Sequence, residues 1–85
     1  MPVIMKIAGF RFFFFSNEGT PLKPEHIHVM KAGAEAKFWL IPKIALAKNR
    51  GFDLVKLIRI KALITQHHAT LLEAWHDYFH SKGPL

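Results

Sequence analysis

Two histidines separated by a single residue are the side chains of this chain that are best suited to chemistry. They are His26 and His28, and they follow a loop that carries prolines and a glycine between positions 16 and 24. In a β-strand, side chains two residues apart project to the same face, so the two imidazoles would be neighbours. Such a pair could supply half of a metal site, an acid and a base that titrate near neutral pH, or two polar groups on a wetted sheet face.

A metal site would need at least a third ligand beside the two histidines. Glu18, Glu25 or a histidine near the C-terminus could provide it, but no acidic cluster completes the set and the chain contains no cysteine. We therefore expect no resident metal and no other cofactor. A small metal-binding module is the second of two alternative functions.

Acid and base catalysis on RNA needs a group that titrates near neutral pH and a cation that stabilises the phosphate charge of the transition state. His26 and His28 are the candidate catalytic residues, and Lys37 and Arg50 could hold the phosphate. Acyl transfer is disfavoured because cysteine is absent and hydroxyl side chains are few. A metal-independent ribonuclease is therefore the first alternative function.

The charge of the chain is positive and unevenly distributed. The chain has 12 Lys and Arg against 6 Asp and Glu, and Asp53 is the single acidic residue between positions 37 and 61. The cations of this basic block are Lys37, Lys43, Lys48, Arg50, Lys56, Arg59 and Lys61. A block of this kind fits RNA or an acidic protein partner, although solvated lysines are the commonest explanation of a charge run.

Within this block, four residues are the candidates for binding RNA or a partner: Lys37, Trp39, Lys48 and Arg50. Trp39 shares its predicted strand face with Glu35 and Lys37, which suits a stacking or docking surface as well as it suits a core position.

Four to five β-strands are predicted in the first 50 residues, from their β-branched and aromatic side chains and their turn residues. The predicted strands are 3–8, 10–16, 26–31, 34–40 and a short edge strand at 43–48. Ala8-Gly9 and Ala32-Gly33 are the turns of two hairpins, and 49–51 is a further turn. In the second strand phenylalanine occupies both faces, so both faces must be at least partly covered.

From Asp53, a reasonable N-cap, the period of the apolar residues changes from two to about 3.6. The apolar stripe consists of Leu54, Leu57, Ile58, Ile64, Leu71, Leu72, Trp75 and Phe79, widened by Ile60, Leu63, Ala74 and Tyr78. One long helix over 53–81 should cover one face of the sheet, with Gly83-Pro84 as the stop signal.

The histidines of this predicted helix have separate expected roles. His68 lies on the apolar stripe and His67 at its margin, where a histidine is usually a hydrogen-bonded core residue. His76 and His80 should be solvated.

The predicted fold is α+β, an antiparallel sheet of four to five strands covered on one face by one long C-terminal helix. Residues 1–85 should form a single domain, with a sheet region at 1–50 and the helix at 53–81. Lys6 and Arg11 interrupt the apolar N-terminal stretch, no targeting pattern follows, and no segment is long enough to span a membrane. We expect a soluble cytoplasmic protein without a membrane partner.

Several short motifs, taken in order, resemble the bacterial domain-of-unknown-function family 4160. They are Gly9-Phe10-Arg11, Ser16-Asn17, Pro24-Glu25-His26-Ile27-His28-Val29, Ala34-Glu35-Ala36-Lys37-Phe38-Trp39-Leu40, Asn49-Arg50-Gly51-Phe52 and Leu72-Glu73-Ala74-Trp75. The resemblance covers nearly the whole chain. The family usually has Pro-Pro-His where this chain has Pro24-Glu25-His26, and the preceding loop looks longer here.

The resemblance implies small bacterial and archaeal proteins that are often encoded beside a member of another uncharacterised family, 2442, as in toxin–antitoxin pairs. We therefore expect a component of a toxin–antitoxin-like pair that acts through a protein partner encoded nearby, together with RNA binding. A homodimer joined through the uncovered sheet face would also cover the two-sided phenylalanines.

Overall fold

A five-stranded antiparallel sheet followed by two helices forms the fold, so the predicted α+β class is confirmed. The computed structural model describes residues 3–15 and 24–81, with side chains as far as residue 79. The elements are β1 (Val3–Ile7), β2 (Phe10–Phe13), β3 (His26–Lys31), β4 (Ala34–Trp39), β5 (Ala45–Arg50), α1 (Leu54–Gln66) and α2 (His68–Ser81). The strands lie in chain order across the sheet. The long loop with Glu18, the side chain of His80 and the stop signal at 83–84 lie outside this description.

The two predicted hairpins form around Ala-Gly dipeptides. Ala8 and Gly9 have φ values of 54° and 83°, and Ala32 and Gly33 have φ values of 50° and 85°. Two consecutive residues with positive φ match the twist of the flanking strands, and glycine adopts this conformation without the steric cost that alanine bears. Strands β2 and β4 end at Phe13 and Trp39, earlier than predicted.

The hydrophobic core lies between one face of the sheet and the two helices. Alternation along the strands directs one set of side chains to this face. The buried core consists of Phe10, Phe12, Phe14, Ile27, Val29, Ala36, Phe38, Leu40, Phe52, Ile60, Ile64, Leu71 and Trp75. The expected core position of Trp75 is therefore confirmed.

The opposite face of the sheet is also partly covered, as the phenylalanine run predicts. Phe13 points away from the helices and is nevertheless fully buried. Its ring stacks on His28 at a centroid distance of 5.5 Å and meets the edge of Phe15 at 5.3 Å. A single chain thus covers Phe13 without a second copy.

The edge strand β5 begins and ends later than the sequence indicates. Residues 41–43 form a bend, and Asn49 and Arg50 pair with Ala36 and Glu35 on β4, so the predicted turn at 49–51 is wrong at its first two positions. The Asn49 side chain donates from Nδ2 to the Phe52 carbonyl and accepts from the Phe52 N–H, at 2.9 and 3.1 Å. Asn49 therefore takes part in the sheet and also holds the start of the connection to α1 through Phe52.

Two helices replace the single long helix that was predicted. His67 separates them, with φ −110° and ψ 21°, although its N–H still donates to the Leu63 carbonyl at 3.1 Å. Just before it, the Thr65 hydroxyl donates to the Lys61 carbonyl at 2.8 Å, a bond that tends to bend helices. Just after it, His68 Nε2 donates to the Leu40 carbonyl at 2.8 Å and ties the junction to the end of β4.

The face of α1 that packs on the sheet also differs from the predicted stripe. Ile60 and Ile64 are fully buried and Leu57 packs against the core, whereas Leu54 and Ile58 are exposed. Leu57, Ile60 and Ile64 lie within one narrow sector of a helix with 3.6 residues per turn, and Leu54 and Ile58 lie outside it. In the described part of the chain, no helix combines the length and apolar character of a membrane span.

Asp53 is the N-cap of α1, as predicted. Its Oδ1 accepts a hydrogen bond of 2.8 Å from the Lys56 N–H, and Lys56 Nζ lies 3.3 Å from Oδ2. These two bonds hold the pKa of the Asp53 carboxyl below its ordinary value of 3.8, and the bond from the Lys56 backbone N–H has the larger effect.

Replacing the buried isoleucine of α1 should destabilise the protein far more than replacing the exposed one. Ile60→Ala removes three carbons from the core and should lower the free energy of unfolding by ~2–5 kcal/mol. Ile58→Ala, on the exposed side of the same helix, should change it by no more than ~0.5 kcal/mol. Urea unfolding of both variants measures this, and equal losses would contradict the assigned orientation of α1.

The Asp53 cap should make stability depend on pH at the acid end. Because the folded pKa lies below the ordinary value, the contribution of the carboxylate is complete above about pH 4 and is lost as pH falls through the folded pKa. Asp53→Asn keeps a good cap without a titrating group. Unfolding curves should therefore show the wild type losing stability relative to this variant below about pH 4, and a difference that does not vary with pH would refute the assignment.

Candidate functional site

A pocket of about 290 Å³ opens on the sheet face that no described helix covers. We call it the sheet-face pocket. Its lining consists of Phe15, His28, Glu35, Ala36, Lys37, Lys48 and Arg50. It therefore brings together one of the two candidate catalytic histidines and three of the four candidate binding residues.

Strand register places His28 and Lys37 at the centre of this pocket. His28 lies opposite Lys37 on β4 and opposite Phe13 on β2. Their chain neighbours Ile27 and Phe38 point the other way, into the core. Because side chains alternate along a strand, burial of Ile27 and Phe38 directs His28 and Lys37 to the helix-free face.

An irregularity in β5 brings the last two cations into the pocket. Lys48 pairs with Lys37, but Leu46 rather than Ala47 pairs with Phe38, so β5 carries one extra residue at this point. Without that residue Leu46 and Lys48 would share a face. With it, Leu46 lies on the core side with Phe38, whereas Lys48 and Arg50 lie with Lys37 and line the pocket.

The pocket is electropositive. Lys37, Lys48 and Arg50 contribute three cations against the single carboxylate of Glu35. Arg50 Nη2 lies 3.7 Å from Glu35 Oε1, but the Arg50 side chain is 78% exposed. An exposed ion pair of this kind contributes little stability, so Arg50 can reorient toward an anionic ligand at small cost.

His28 forms the floor of the pocket. Its imidazole stacks on Phe13, meets the edge of Phe15 at a centroid distance of 4.6 Å, and is 7% exposed. Its Nδ1 lies 3.9 Å from Glu35 Oε2. The ring nitrogens of His28 are therefore the groups of this histidine that could exchange a hydrogen bond with a ligand.

His26 adjoins His28 but does not line the pocket. The two ring centroids are 5.2 Å apart, so the predicted pair of neighbouring imidazoles is present. His26 is fully buried, its Nδ1 donates to the Pro24 carbonyl at 2.8 Å, and its ring contacts those of Trp39 and Trp75. This environment suits a structural role, which leaves His28 as the histidine that can meet a ligand.

Trp39 lies beside the pocket without lining it. It pairs with His26 across the sheet, and its half-buried ring carries the Lys37 ammonium 4.5 Å from its centroid. This cation–π contact holds Lys37 over the helix-free face. Trp39 thus orients one of the pocket cations.

Of the remaining histidines, His68 makes the hydrogen bond to Leu40 that its position on the apolar stripe predicts. His76 is partly exposed as expected, but its Nε2 lies 2.9 Å from Glu25 Oε2 and so connects α2 to the residue that precedes β3. Among the described residues, no three His, Asp or Glu side chains are grouped as metal ligands would be. The candidate third ligand Glu18 lies outside the described residues.

The sequence does not single out Phe15 or Glu35 as site residues. Glu35 could have been identified from the sequence, because it lies two residues before the candidate Lys37 and so on the same strand face. The indication for Phe15 is weaker: like Phe13, it occupies an odd-numbered position of the phenylalanine run and so faces away from Phe12 and Phe14.

The fold and the pocket define a small α+β domain with a basic, helix-free sheet face. The chain belongs to the family described as Domain of unknown function (DUF4160), whose model matches residues 9–76. The resemblance found in the sequence motifs is therefore confirmed. No curated protein and no solved structure matches the chain.

Replacement of His26 should test its structural role. His26→Ala leaves the Pro24 carbonyl without its donor and opens a void between two tryptophans, so the free energy of unfolding should fall by about 2 kcal/mol or more. His76→Ala, a control at an exposed ion pair, should cost less than about 1 kcal/mol. Urea denaturation would contradict this role if both variants were equally stable.

Proposed function

We propose that this protein binds RNA through the sheet-face pocket and acts as one component of a toxin–antitoxin-like pair. The observation that carries the RNA-binding part is the convergence of Lys37, Lys48 and Arg50 on one concave, helix-free surface. Clustered cations of this kind neutralise phosphates and release their counterions, which is the main source of affinity for nucleic acids. The partnership rests on the family resemblance and its expected neighbour of family 2442.

Aromatic side chains beside the cations favour a single-stranded ligand. Phe15, which is 37% exposed, lines the pocket, and Trp39 lies alongside under the Lys37 ammonium. Proteins that bind single strands combine a basic groove along the backbone with aromatic rings on which bases stack. At about 290 Å³ the pocket is at the small end of the range for ligand sites, so it would hold a short part of a strand.

A metal-independent ribonuclease is the second candidate function, and the position of His28 favours it. This imidazole is the titratable ring that borders the pocket, next to the cations that would hold a phosphate. In the cleavage step the ribose 2′-hydroxyl would attack phosphorus and lose its proton to solvent water, which forms a 2′,3′-cyclic phosphate. The bond from phosphorus to the 5′-oxygen would break, and His28 would donate a proton to that oxygen while Lys37 and Arg50 stabilise the phosphate charge. His26 would contribute by packing against His28.

RNA binding should depend on the pocket cations and not on the total charge. Lys48→Glu/Arg50→Glu should weaken binding of a short single-stranded RNA at least about tenfold and lower the log–log salt slope by about 2, because two phosphate contacts are lost. Arg59→Glu/Lys61→Glu makes the same change in charge on α1, on the other side of the sheet, and is the matched control. Fluorescence anisotropy at several salt concentrations measures both, and equal losses in the two variants would refute a pocket-specific site.

The same RNA can be used to test for cleavage independently of binding. A ribonuclease should cut it in the presence of a chelator, and His28→Ala should abolish cutting while the RNA remains bound. Gel analysis of the products decides between the candidates: intact RNA with the wild-type protein excludes the ribonuclease and leaves the binding function in place.

The partnership has its own test. Co-expression with the product of a neighbouring family 2442 gene should yield a complex that survives purification and should relieve any growth inhibition. Absence of both effects would refute the toxin–antitoxin assignment.

A further inference from the structure

The outward face of α1 carries an apolar patch that the core does not use. Leu54, Val55 and Ile58 are 71%, 76% and 62% exposed. Ala62, one turn beyond Ile58, is exposed as well and extends the patch along the helix axis. We call these four residues the α1 patch.

The patch is separate from the face by which α1 packs on the sheet. Ile60 and Ile64 fill that inner face and are fully buried. A surface helix normally has one apolar stripe and a polar opposite side, so apolar residues on both sides indicate a second contact. Single exposed apolar residues are common, but residues that adjoin on consecutive turns form a continuous surface.

Cations border the patch on both sides. At 100° per residue, Lys61 lies one turn from Ile58 on one flank of the apolar residues, and Arg59 lies one turn from Val55 on the other flank. The sequence of α1, Leu54–Gln66, contains no acidic residue. The α1 patch is thus an apolar strip between two positive margins.

We propose that the α1 patch docks an amphipathic helix of another protein whose apolar side is flanked by Asp and Glu. Such a helix would bury its apolar side on Leu54, Val55 and Ile58 and place carboxylates against Arg59 and Lys61. The inference rests on the partnership in the proposed function and is independent of RNA binding.

Charge argues against a second copy of this chain as the occupant. Two α1 patches packed face to face would bring the positive margins of both helices together, in a protein with a formal net charge of +6. Like charges at a contact are unfavourable, whereas an acidic helix meets both margins with the opposite sign.

The location of the patch leaves the sheet-face pocket open. α1 packs on the side of the sheet that carries Ile27 and Phe38, whereas the pocket lies on the side of His28 and Lys37. A partner on α1 and RNA in the pocket could therefore be bound at the same time.

A designed peptide tests the docking surface directly. The probe is a synthetic amphipathic helix with leucines at positions i, i+3, i+4 and i+7 and glutamates on both flanks, and its control has the same composition in scrambled order. Calorimetry should show that the ordered peptide binds. Ile58→Gln should weaken this binding about tenfold. Leu46→Gln, which alters an exposed leucine on β5, is the control and should leave the binding unchanged. Arg59→Glu/Lys61→Glu should also weaken binding, and Lys48→Glu/Arg50→Glu should leave it intact.

Four results would overturn the inference. The first is that the scrambled peptide binds as tightly as the ordered one, and the second is that Ile58→Gln leaves the affinity for the ordered peptide unchanged. The third is that the protein self-associates with rising concentration and that Ile58→Gln abolishes this. The fourth is that the patch binds anionic phospholipid vesicles but not the peptide. A complex with the family 2442 protein that is unaffected by Ile58→Gln would refute the α1 patch while the partnership stands. Peptide binding that depends on Ile58, without any such complex, would uphold the patch and refute the toxin–antitoxin assignment.

Discussion

Alternation of side chains along β3 is the constraint on which the rest of the structure depends. Ile27 and Val29 are fully buried in the core, where removal of their apolar side chains from water is favourable. Alternation then directs His28 to the opposite face, where the pairing of β3 with β2 and β4 sets Phe13 and Lys37 beside it, whereas His26 at the start of the strand packs against Trp75 of α2. The pocket is therefore a consequence of how the core is packed.

The chain leaves helical geometry at His67, and the two helices make different contacts with the sheet. α1 covers the sheet through Ile60 and Ile64, whereas α2 brings Trp75 against Phe14, 5.2 Å between centroids, and against His26 at 4.9 Å. Trp75 thus joins the core to the buried histidine. The C-terminal segment thus contacts both the core face of the sheet and the start of the strand that carries the histidines.

Much of the fold could be predicted from the sequence because its signals are local. The Ala-Gly turns, the alternation within the strands and the Asp53 cap each depend on a few adjacent residues, and all three are confirmed. The helix break could not be predicted, because no Gly or Pro marks it and the bond from His68 to Leu40 joins residues 28 positions apart. The orientation of α1 also depends on tertiary packing, since its sequence offers apolar residues on both sides.

The sequence predicts most of the residues of the candidate site, but it does not predict how they are arranged. The basic block and the His-x-His spacing bring Lys37, Lys48, Arg50 and His28 to notice, and these residues do lie together. The extra residue in β5 that directs Lys48 and Arg50 to the face of Lys37 has no sequence signature. The burial of His26 likewise depends on Trp75, which lies far away along the chain.

Paired hydrogen bonds between Asn49 and Phe52 form the joint between β5 and α1. Arg50, at the rim of the sheet-face pocket, and Leu54, at the start of the α1 patch, lie on either side of this joint, and Phe52 anchors it in the core. The chain between the two surfaces is therefore held at both ends, by the pairing of Arg50 with β4 and by the burial of Phe52. A partner on α1 and a ligand in the pocket would be held at a separation that the fold sets.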